Sequence, residues 1–539
     1  LLTQLHKFHR QAAASANQAD LRALVRRMCQ AYQQQADARY TLCLVGKTRE
    51  ALLRDIGFAE DSVQRAFDEQ RPWQTPRGSY FTPNPLSDGG TVVFVYPGAF
   101  NAYPNLGRDL FQIFPALHER FAETTHDLGS VVHERTLYPR SFTPLSESEQ
   151  RAHEKALMAQ PATLIESGTT FAMLFTAILR DYFGVRPSAA LGYSLGEASM
   201  LWANEVWQDA ESGSRAWRDS ALFKTRLTGP KNAVREYWDL DAAADDNAFW
   251  RTYLLKAPID AIRAHVAEEP RVTLTMINTP KEGVIAGDPA GCRRIIKALD
   301  CHALPVPYDA VIHAEAMHSE HPTFVELYTN PVTHRPDVDF YSTAGYAPLT
   351  LTSDALAHAL ADMTCSPVDF PRLIHRAYED GARIFVELGP QHTCTRWIDN
   401  ILADKPHAAM AINKKGGSDI VGILSVLAQL LSHGVDLDIS RLYESVVVKH
   451  HVTGTHRAVP VPALLGVADK IQTRHQIVSP DNHKQLALER GRAAFDLAHR
   501  YAEGANAHQR RAIESHSAFL QARQAALHDT SGLIQMQIA

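Results

Sequence analysis

The chain has 539 residues, of which 45% are hydrophobic and 21% charged, with a formal net charge of −6. This length predicts roughly two to four globular domains, and the charge argues against a nucleic-acid partner or an anionic membrane surface. Six cysteines are scattered without a C-x-x-C pair, which argues against a metal site or disulfide framework and indicates a cytoplasmic location. We identify no signal peptide and expect no membrane span.

The first 90 residues combine helical and strand patterns. Residues 1–38 are polar with apolar positions at helical spacing, "YTLCLVG" predicts a strand, and "KTREALLRDIGF" predicts a helix. A Pro/Gly-rich segment, "RGSYFTPNPLSDGG", follows. We therefore predict a small α/β domain that ends near residue 90.

Apolar strands and helices alternate from residue 91 to about residue 440. "TVVFVYPGAF" and "RIFVELGP" are typical of strands buried on both faces, and "TLIESGTTFAMLFTAILRDYFG" and "SDIVGILSVLAQLLSHGV" predict helices. "RVTLTMIN", "GVIAGD" and "PAGCRRIIKALD" predict a compact α+β insert. This alternation predicts an α/β core with a mostly parallel sheet. From about residue 472 the pattern is polar and helical.

The segment "SAALGYSLGEASMLWA" contains a G-x-S-x-G pattern centred on Ser194. An apolar run that could be a buried strand precedes it, and a helix start follows it. Strand, sharp turn and helix form the context that exposes a serine hydroxyl beside helix N-terminal amides. Gly192 and Gly196 allow the unusual backbone that such a turn needs. Taken alone, the pattern leaves open an ordinary turn bracketed by two glycines.

Several further segments occur in an order that resembles the acyl-CoA:acyl-carrier-protein transacylase (malonyl transacylase-like) family. "VFVYPGAFNAYPNLGRDL" is similar to the family's "VFxFPGQGSQxxGMGRDL", and "VIHAEAM" is similar to "AFHSxxM". "IFVELGPQHTCTRWI" supplies the later "ExGPGxxLTxLI". The resemblance covers roughly residues 90–440. "GYSLGEASMLWANEVW", "FKTRLTGPKNAVREYW" and "HSAFLQARQAAL" further resemble the dedicated acyltransferase subunits of polyunsaturated fatty acid synthases and related polyketide-type synthases.

The resemblance implies an α/β acyltransferase fold with two parts. A larger α/β-hydrolase-like part with a parallel sheet would span residues 91–228 and 309–440. A smaller ferredoxin-like insert would span residues 229–308, and the cleft between the parts would hold the acyl chain. Residues 1–90 would be the linker domain that follows a ketosynthase, and residues 441–539 a post-acyltransferase segment with a helical tail.

The resemblance also assigns the reacting groups. Ser194 would be the nucleophile that attacks an acyl thioester, and His313, in "IHAEAM", would be its base. The backbone N–H groups of Leu195 and Ala99 would stabilise the oxyanion. Ala99 occupies the position of the glutamine in the family's "PGQG", so the backbone donor remains and the glutamine side chain is lost.

Five other positions bear on the acyl group. Gln160 matches a pocket-lining glutamine, although it could equally be a helix cap. Tyr193 replaces the histidine of "GHS", and Ile312 lies where malonyl-type enzymes have "HAFH". Arg226, or alternatively Lys224, aligns with the arginine that pairs with a malonyl carboxylate. The other interpretation is that both side chains are solvated surface charges. Without such an arginine a neutral acyl chain is favoured over malonyl.

The implied substrates are a CoA thioester and the phosphopantetheine arm of an acyl carrier protein, with no bound cofactor or metal. Other synthase subunits or domains would be partners. One alternative is an α/β-hydrolase-type thioesterase, whose histidine comes late in the chain, as His392 or His407 does. The other is a non-catalytic scaffold in which Tyr193 and Ala99 mark decay, although Ser194 and His313 both remain.

Overall fold

The computed structural model describes residues 1–442 and 533–538, apart from gaps at 16–17, 34–37, 115, 118–120, 122–131, 140–144, 241–248 and 307–309. The chain divides into two units, one of Leu1–Tyr443 with Asp529–Ala539 and the other of Glu444–His528. All described residues belong to the first unit. Most of the predicted post-acyltransferase segment therefore lies outside the described residues.

The secondary structure alternates strands and helices along most of the described chain. The strands are β1 (Tyr40–Val45), β2 (Trp73–Gln74), β3 (Tyr80–Phe81), β4 (Thr91–Tyr96), β5 (Ala189–Gly192), β6 (Arg251–Lys256), β7 (Val272–Thr279), β8 (Glu282–Gly287), β9 (His302–Pro305), β10 (Asp339–Ser342), β11 (Ala347–Pro348), β12 (Val368–Asp369), β13 (Ala382–Glu387), β14 (Ala408–Ala411) and β15 (Leu533–Ile538). The helices are α1 (Leu2–Ala14), α2 (Gln18–Gln33), α3 (Arg49–Glu69), α4 (Leu110–Ile113), α5 (Glu134–Leu137), α6 (Glu147–Met158), α7 (Pro161–Thr176), α8 (Gly196–Ala203), α9 (Ala210–Asp219), α10 (Asn232–Tyr237), α11 (Ile259–Val266), α12 (Pro289–Leu299), α13 (His321–Tyr328), α14 (Ser353–Cys365), α15 (Phe370–Glu379), α16 (Thr393–Ile401) and α17 (Asp419–Ser432).

A six-stranded sheet of order β11-β10-β5-β4-β13-β14 forms the centre of the larger part. Its pairs from β10 to β14 are parallel, and β11 adds an antiparallel edge. In β4, Phe94 packs into one hydrophobic cluster while Val93 and Val95 pack into another on the opposite face. This double burial is the reason that the strand is continuously apolar. Ser194 follows the carboxyl end of β5.

A five-stranded sheet of order β12-β7-β8-β6-β9 forms the smaller part. From β6 to β9 the chain runs strand, helix, strand, strand, helix, strand, with antiparallel neighbours, which is the ferredoxin-like arrangement. The predicted combination of a parallel α/β part and a ferredoxin-like insert is confirmed. The antiparallel sheet runs from Arg251 to Pro305, while Ala233 and Val234 of α10 pack in the core of the larger part. The insert limits of 229 and 308 stay predictions.

The N-terminal residues form a further sheet of order β15-β1-β3-β2 with its own hydrophobic cluster. The tail differs from the prediction here, because β15 is a strand that pairs antiparallel with β1 along its whole length. The run "LIQMQI" mixes apolar residues and glutamines as strands do, but it is short and ends a long segment of helical pattern.

The segment from Pro161 to Tyr182 is the longest apolar helical stretch among the described residues. The α-helix α7 continues into a π-helical turn at Ala177–Tyr182. By length and composition this stretch could cross a membrane, which corrects our expectation that no segment would qualify. Its most apolar window is 67% buried inside the protein, as in the core helix of a globular domain. This helix packs directly against α8, which follows Ser194.

Candidate active site

Ser194 lies on the sharp turn that joins β5 to α8. Its φ of +55° falls in the left-handed region, which is unusual for a residue with a side chain. A Cβ atom on Gly192 would lie 2.1 Å from the backbone of Gly196 and Glu197, and a Cβ atom on Gly196 would lie 2.0 Å from the carbonyl oxygen of Tyr96. Both glycines are therefore needed for the turn that exposes the Ser194 hydroxyl.

Replacing Gly196 with alanine is expected to destabilise the fold by about 1–3 kcal/mol or more, because the new methyl group meets backbone rather than a movable side chain. The shift in the urea unfolding midpoint measures this effect. Gly57→Ala is the matched control, since α3 leaves open space around Gly57 and alanine favours a helix. A Gly196→Ala protein as stable as the parent would show that the turn has a different backbone.

His313 is the partner of Ser194. The distance between Ser194 Oγ and His313 Nε2 is 2.6 Å, although the two residues are 119 positions apart. On the other side of the ring, Nδ1 lies 3.0 Å from the carbonyl oxygen of Met363 and 3.2 Å from that of Ser366. These carbonyls require a proton on Nδ1, so Nε2 accepts the hydrogen bond from the serine hydroxyl.

The environment keeps the His313 imidazole neutral. The residue is only 2% exposed, and this burial lowers the pKa of His313 from 6.5 to about 4. Hydrogen bonds to the two backbone carbonyls oppose the shift but do not cancel it. A neutral ring with a free lone pair on Nε2 can remove a proton from Ser194 at neutral pH. His313, like Ser194, has a φ of +55°.

The predicted oxyanion donors lie on the two turns next to Ser194. Leu195 is the N-cap residue of α8, so its N–H belongs to the helix end where backbone donors are unsatisfied by the helix itself. Ala99 follows β4 and lines the same cavity as Ser194. The structure thus brings both residues to the site, while their role in stabilising an oxyanion stays a prediction.

A cavity of about 320 Å³ opens beside Ser194, between the parallel sheet and the ferredoxin-like insert. Its walls come from the turn after β4, from strands of the insert, and from α16. Ile312, which the sequence singled out, contributes to the lining. The lining residues are Gly98, Ala99, Phe100, Asn101, Tyr193, Ser194, Leu254, Met276, Asn278, Val284, Leu304, Pro305, Val306, Ile312, Thr393, Cys394 and Trp397.

A hydrogen-bond network at the cavity wall links the larger part to the insert. The Tyr193 hydroxyl donates to Asn278 Oδ1 at 2.6 Å, and Asn278 Nδ2 donates to Glu282 Oε1 at 3.0 Å. Trp397 Nε1 donates to the same Glu282 oxygen at 2.9 Å. Sequence reasoning found Tyr193 but missed the other three residues, because they join only when the β7–β8 hairpin folds against α16.

Two buried acidic side chains connect segments of the chain that surround the site. Glu197, on the first turn of α8, accepts hydrogen bonds from the backbone and hydroxyl of Thr343 and from the hydroxyl of Ser342. Glu387, at the end of β13, accepts from the backbone N–H groups of Cys394 and Thr395 and so caps α16. Burial raises the pKa of each carboxyl group to about 7. Neither contacts Ser194 or His313 through a described hydrogen bond.

Two predicted substrate residues do not reach the cavity. Gln160 has an exposed side chain that donates to the carbonyl oxygen of Ala156, as expected for a residue before a helix. Arg226 is bound by the carboxylates of Glu236 and Glu320, and its side chain is absent from the described cavity lining. The described cavity lining supports neither prediction, and Glu320, one partner of Arg226, lies outside the motif that contains the arginine.

The remaining candidates also lie elsewhere. Lys224 donates to the backbone of Asp219 and is exposed, as a solvated charge would be. His407 pairs with Asp399, and His392 is the N-cap residue that precedes α16. Neither histidine is hydrogen-bonded to Ser194 in the described structure. Among the described residues, no group of three or more histidines, cysteines and acids could hold a metal ion.

Comparisons with known proteins agree with this architecture. No family model matches the chain. It is 27% identical over 471 residues to one polyunsaturated fatty acid synthase subunit of a Thraustochytrium species, covering 82% of this chain and 23% of that protein. It is 24% identical to another polyunsaturated fatty acid synthase subunit from the same organism, covering 70% of this chain and 13% of that protein. The chain thus spans less than a quarter of the length of these relatives.

Two solved structures share the fold. The acyltransferase domain from the second module of the salinomycin polyketide synthase matches with a TM-score of 0.55 at 20% identity, covering 80% of this chain and 90% of that domain. The acyltransferase domain from module 8 of the same synthase matches with a TM-score of 0.56 at 17% identity, covering 79% and 95%. The chain has the fold of these acyltransferase domains, and the resemblance predicted from its sequence is confirmed.

Proposed function

We propose that this chain, which has the fold of polyketide synthase acyltransferase domains, moves an acyl group between thioesters through an acyl-serine intermediate. The observation that supports this most strongly is the 2.6 Å hydrogen bond between Ser194 Oγ and His313 Nε2 at the wall of a 320 Å³ cavity. The serine stands on a strained turn beside a helix end, and the neutral histidine is oriented by backbone carbonyls. Together they form an activated nucleophile.

In the first half of the proposed reaction, His313 Nε2 takes the Ser194 proton while Oγ bonds to the thioester carbonyl carbon. The carbonyl oxygen becomes an oxyanion, which the N–H groups of Leu195 and Ala99 stabilise. The C–S bond then breaks, and His313 returns the proton to the sulfur of the departing thiol. In the second half, a new thiol gives its proton to His313 and attacks the acyl-serine carbonyl, and Ser194 Oγ recovers a proton from His313.

We propose a CoA thioester as donor and the phosphopantetheine thiol of an acyl carrier protein as acceptor, with no bound cofactor. The similarity to polyunsaturated fatty acid synthase subunits supports a role in fatty acid or polyketide-type synthesis beside other synthase components. The cytoplasmic location stays a prediction. To test acyl transfer, the enzyme is mixed with an acyl-CoA and a holo acyl carrier protein, and acyl carrier and free acid are measured separately.

The thioesterase alternative predicts mainly free acid in this experiment. It has less support, because His392 and His407 lie away from Ser194 and the His313 ring faces backbone carbonyls instead of a carboxylate. Acyl carrier that exceeds free acid supports the transferase. Free acid as the dominant product, with the same dependence on Ser194, would support the thioesterase. A scaffold would form neither product.

The pH dependence of acyl-enzyme formation provides a further test. Protonated imidazole has no lone pair on Nε2, so the rate should rise with pH through the pKa of His313 and be constant above it. Since burial lowers this pKa to about 4, we expect a constant rate from pH 8 down to about pH 5. Single-turnover measurements by rapid quench, with circular dichroism to check folding at each pH, give the profile. A midpoint at or above 6.5 would contradict the buried, neutral His313.

A further inference from the structure

The lining of the cavity beside Ser194 indicates which acyl group it holds. We infer that the acyl group transferred by this site is electrically neutral and largely apolar, and is not a dicarboxylic unit such as malonyl. The inference rests on the proposed function, since it concerns the group attached to Ser194. It goes further because it assigns the substrate class from the cavity walls.

The walls are apolar and carry no formal charge. None of the lining residues in the described structure is a lysine, an arginine or an acid. The insert contributes mostly apolar side chains to the lining, among them Leu254, Met276, Val284 and Val306. Leu304 belongs to the same lining and is 45% exposed. A wall of this kind favours hydrocarbon, at roughly 25 cal/mol for each Å² of apolar surface removed from water.

Several polar side chains of the lining already have hydrogen-bond partners. The Tyr193 hydroxyl donates to Asn278, and the Asn278 amide donates to Glu282. The Asn101 amide donates to the carbonyl oxygen of Gly98. A substrate carboxylate would find only neutral hydrogen-bond donors here, because none of the lining side chains is a cation.

The charge that lies behind the wall has the wrong sign for an anion. Glu282 accepts hydrogen bonds from Asn278 and Trp397, which both line the cavity, so a carboxylate stands one residue behind the surface. The arginine expected to pair with a malonyl group, Arg226, is held by Glu236 and Glu320. An anionic acyl group would be desolvated beside Glu282 without a cation to compensate it.

A matched pair of thioesters tests the inference. Malonyl-CoA and 3-methylbutanoyl-CoA have acyl groups of similar size and the same number of non-hydrogen atoms, and an uncharged isopropyl group replaces the carboxylate. The initial rate of Ser194-dependent acylation is measured for each at low concentration by intact-protein mass spectrometry, with Ser194→Ala as the blank. We expect the neutral thioester to acylate the enzyme at least about tenfold faster, because the carboxylate is left unpaired in the apolar cavity.

The outcomes separate this inference from the proposed function. Faster acylation by malonyl-CoA, or equal rates, would overturn the neutral acyl group while leaving the acyl-serine mechanism in place. No Ser194-dependent adduct from either thioester, or from octanoyl-CoA as a longer neutral chain, would overturn both.

Arg226→Ala provides a second measurement. The ratio of the two acylation rates should not change in this variant, because the guanidinium pairs with Glu236 and Glu320 outside the cavity lining. The ratio does not depend on how much enzyme remains folded, so weakened folding does not obscure the result. Malonyl acylation that is selectively lost in Arg226→Ala would contradict the inference.

Discussion

Replacing Ser194 with alanine is expected to abolish the acyl adduct and to lower the transfer rate by about 10⁴-fold or more. The substitution removes the hydroxyl that is hydrogen-bonded to His313 on the turn after β5. Alanine keeps the Cβ atom, so the strain of the positive φ does not increase. Intact-protein mass spectrometry after incubation with an acyl-CoA, together with the transfer assay, measures both effects.

Ser199→Ala is the matched control for this variant. Ser199 lies on the helix that follows Ser194, where its hydroxyl pairs with that of Thr169, so its removal should leave acylation nearly unchanged. An adduct that persists in Ser194→Ala would exclude Ser194 as the nucleophile. Unchanged product formation by the whole synthase containing Ser194→Ala would instead favour the scaffold.

Removal of the His313 imidazole has the second-largest expected effect, a loss of about 10²–10⁴ in the acylation rate. Asparagine is the better replacement, because His313 has a φ of +55° and asparagine tolerates the left-handed region. Its side chain cannot accept the Ser194 proton as a base. Single-turnover acylation of His313→Asn measures the loss, and the unfolding midpoint checks that the fold is intact.

His392→Ala is the control for the histidine. This residue precedes α16 and has no described hydrogen bond to Ser194, so its removal should change the acylation rate less than about twofold. The opposite pattern, an essential His392 and a dispensable His313, would favour the hydrolase alternative over the transacylase.

A local pattern and the family resemblance together predicted the two residues that meet at the site. The "GYSLG" turn predicted an exposed Ser194, and the resemblance identified His313, 119 positions further along, among 26 histidines. The continuous apolar strands β4 and β13 were likewise predictable, because burial on both faces requires such a composition.

Long-range partners could not be predicted in the same way. Arg226 matched an aligned position, but Glu320 binds it from a segment 94 residues further along the chain. Asn278 and Glu282 accept hydrogen bonds from Tyr193 and Trp397 only because the insert folds against α16. The two-residue strand β12 has too short a pattern to detect, and β15 lies at the end of a tail whose pattern is helical.

The pairing of β12 with β7 has a consequence for access to the cavity beside Ser194. Val368 and Asp369 follow α14, outside the ferredoxin-like insert, yet they pair in parallel with Met276 and Ile277 of its sheet. Backbone hydrogen bonds thus tie the insert to the rest of the unit beside the residue that lines the cavity, Met276. The pairing orders the two walls in the folded chain, which reduces the conformational entropy that a ligand would lose on binding between them. We therefore expect the cavity wall around Met276 to be preformed, so that access depends on side chains such as the exposed Leu304.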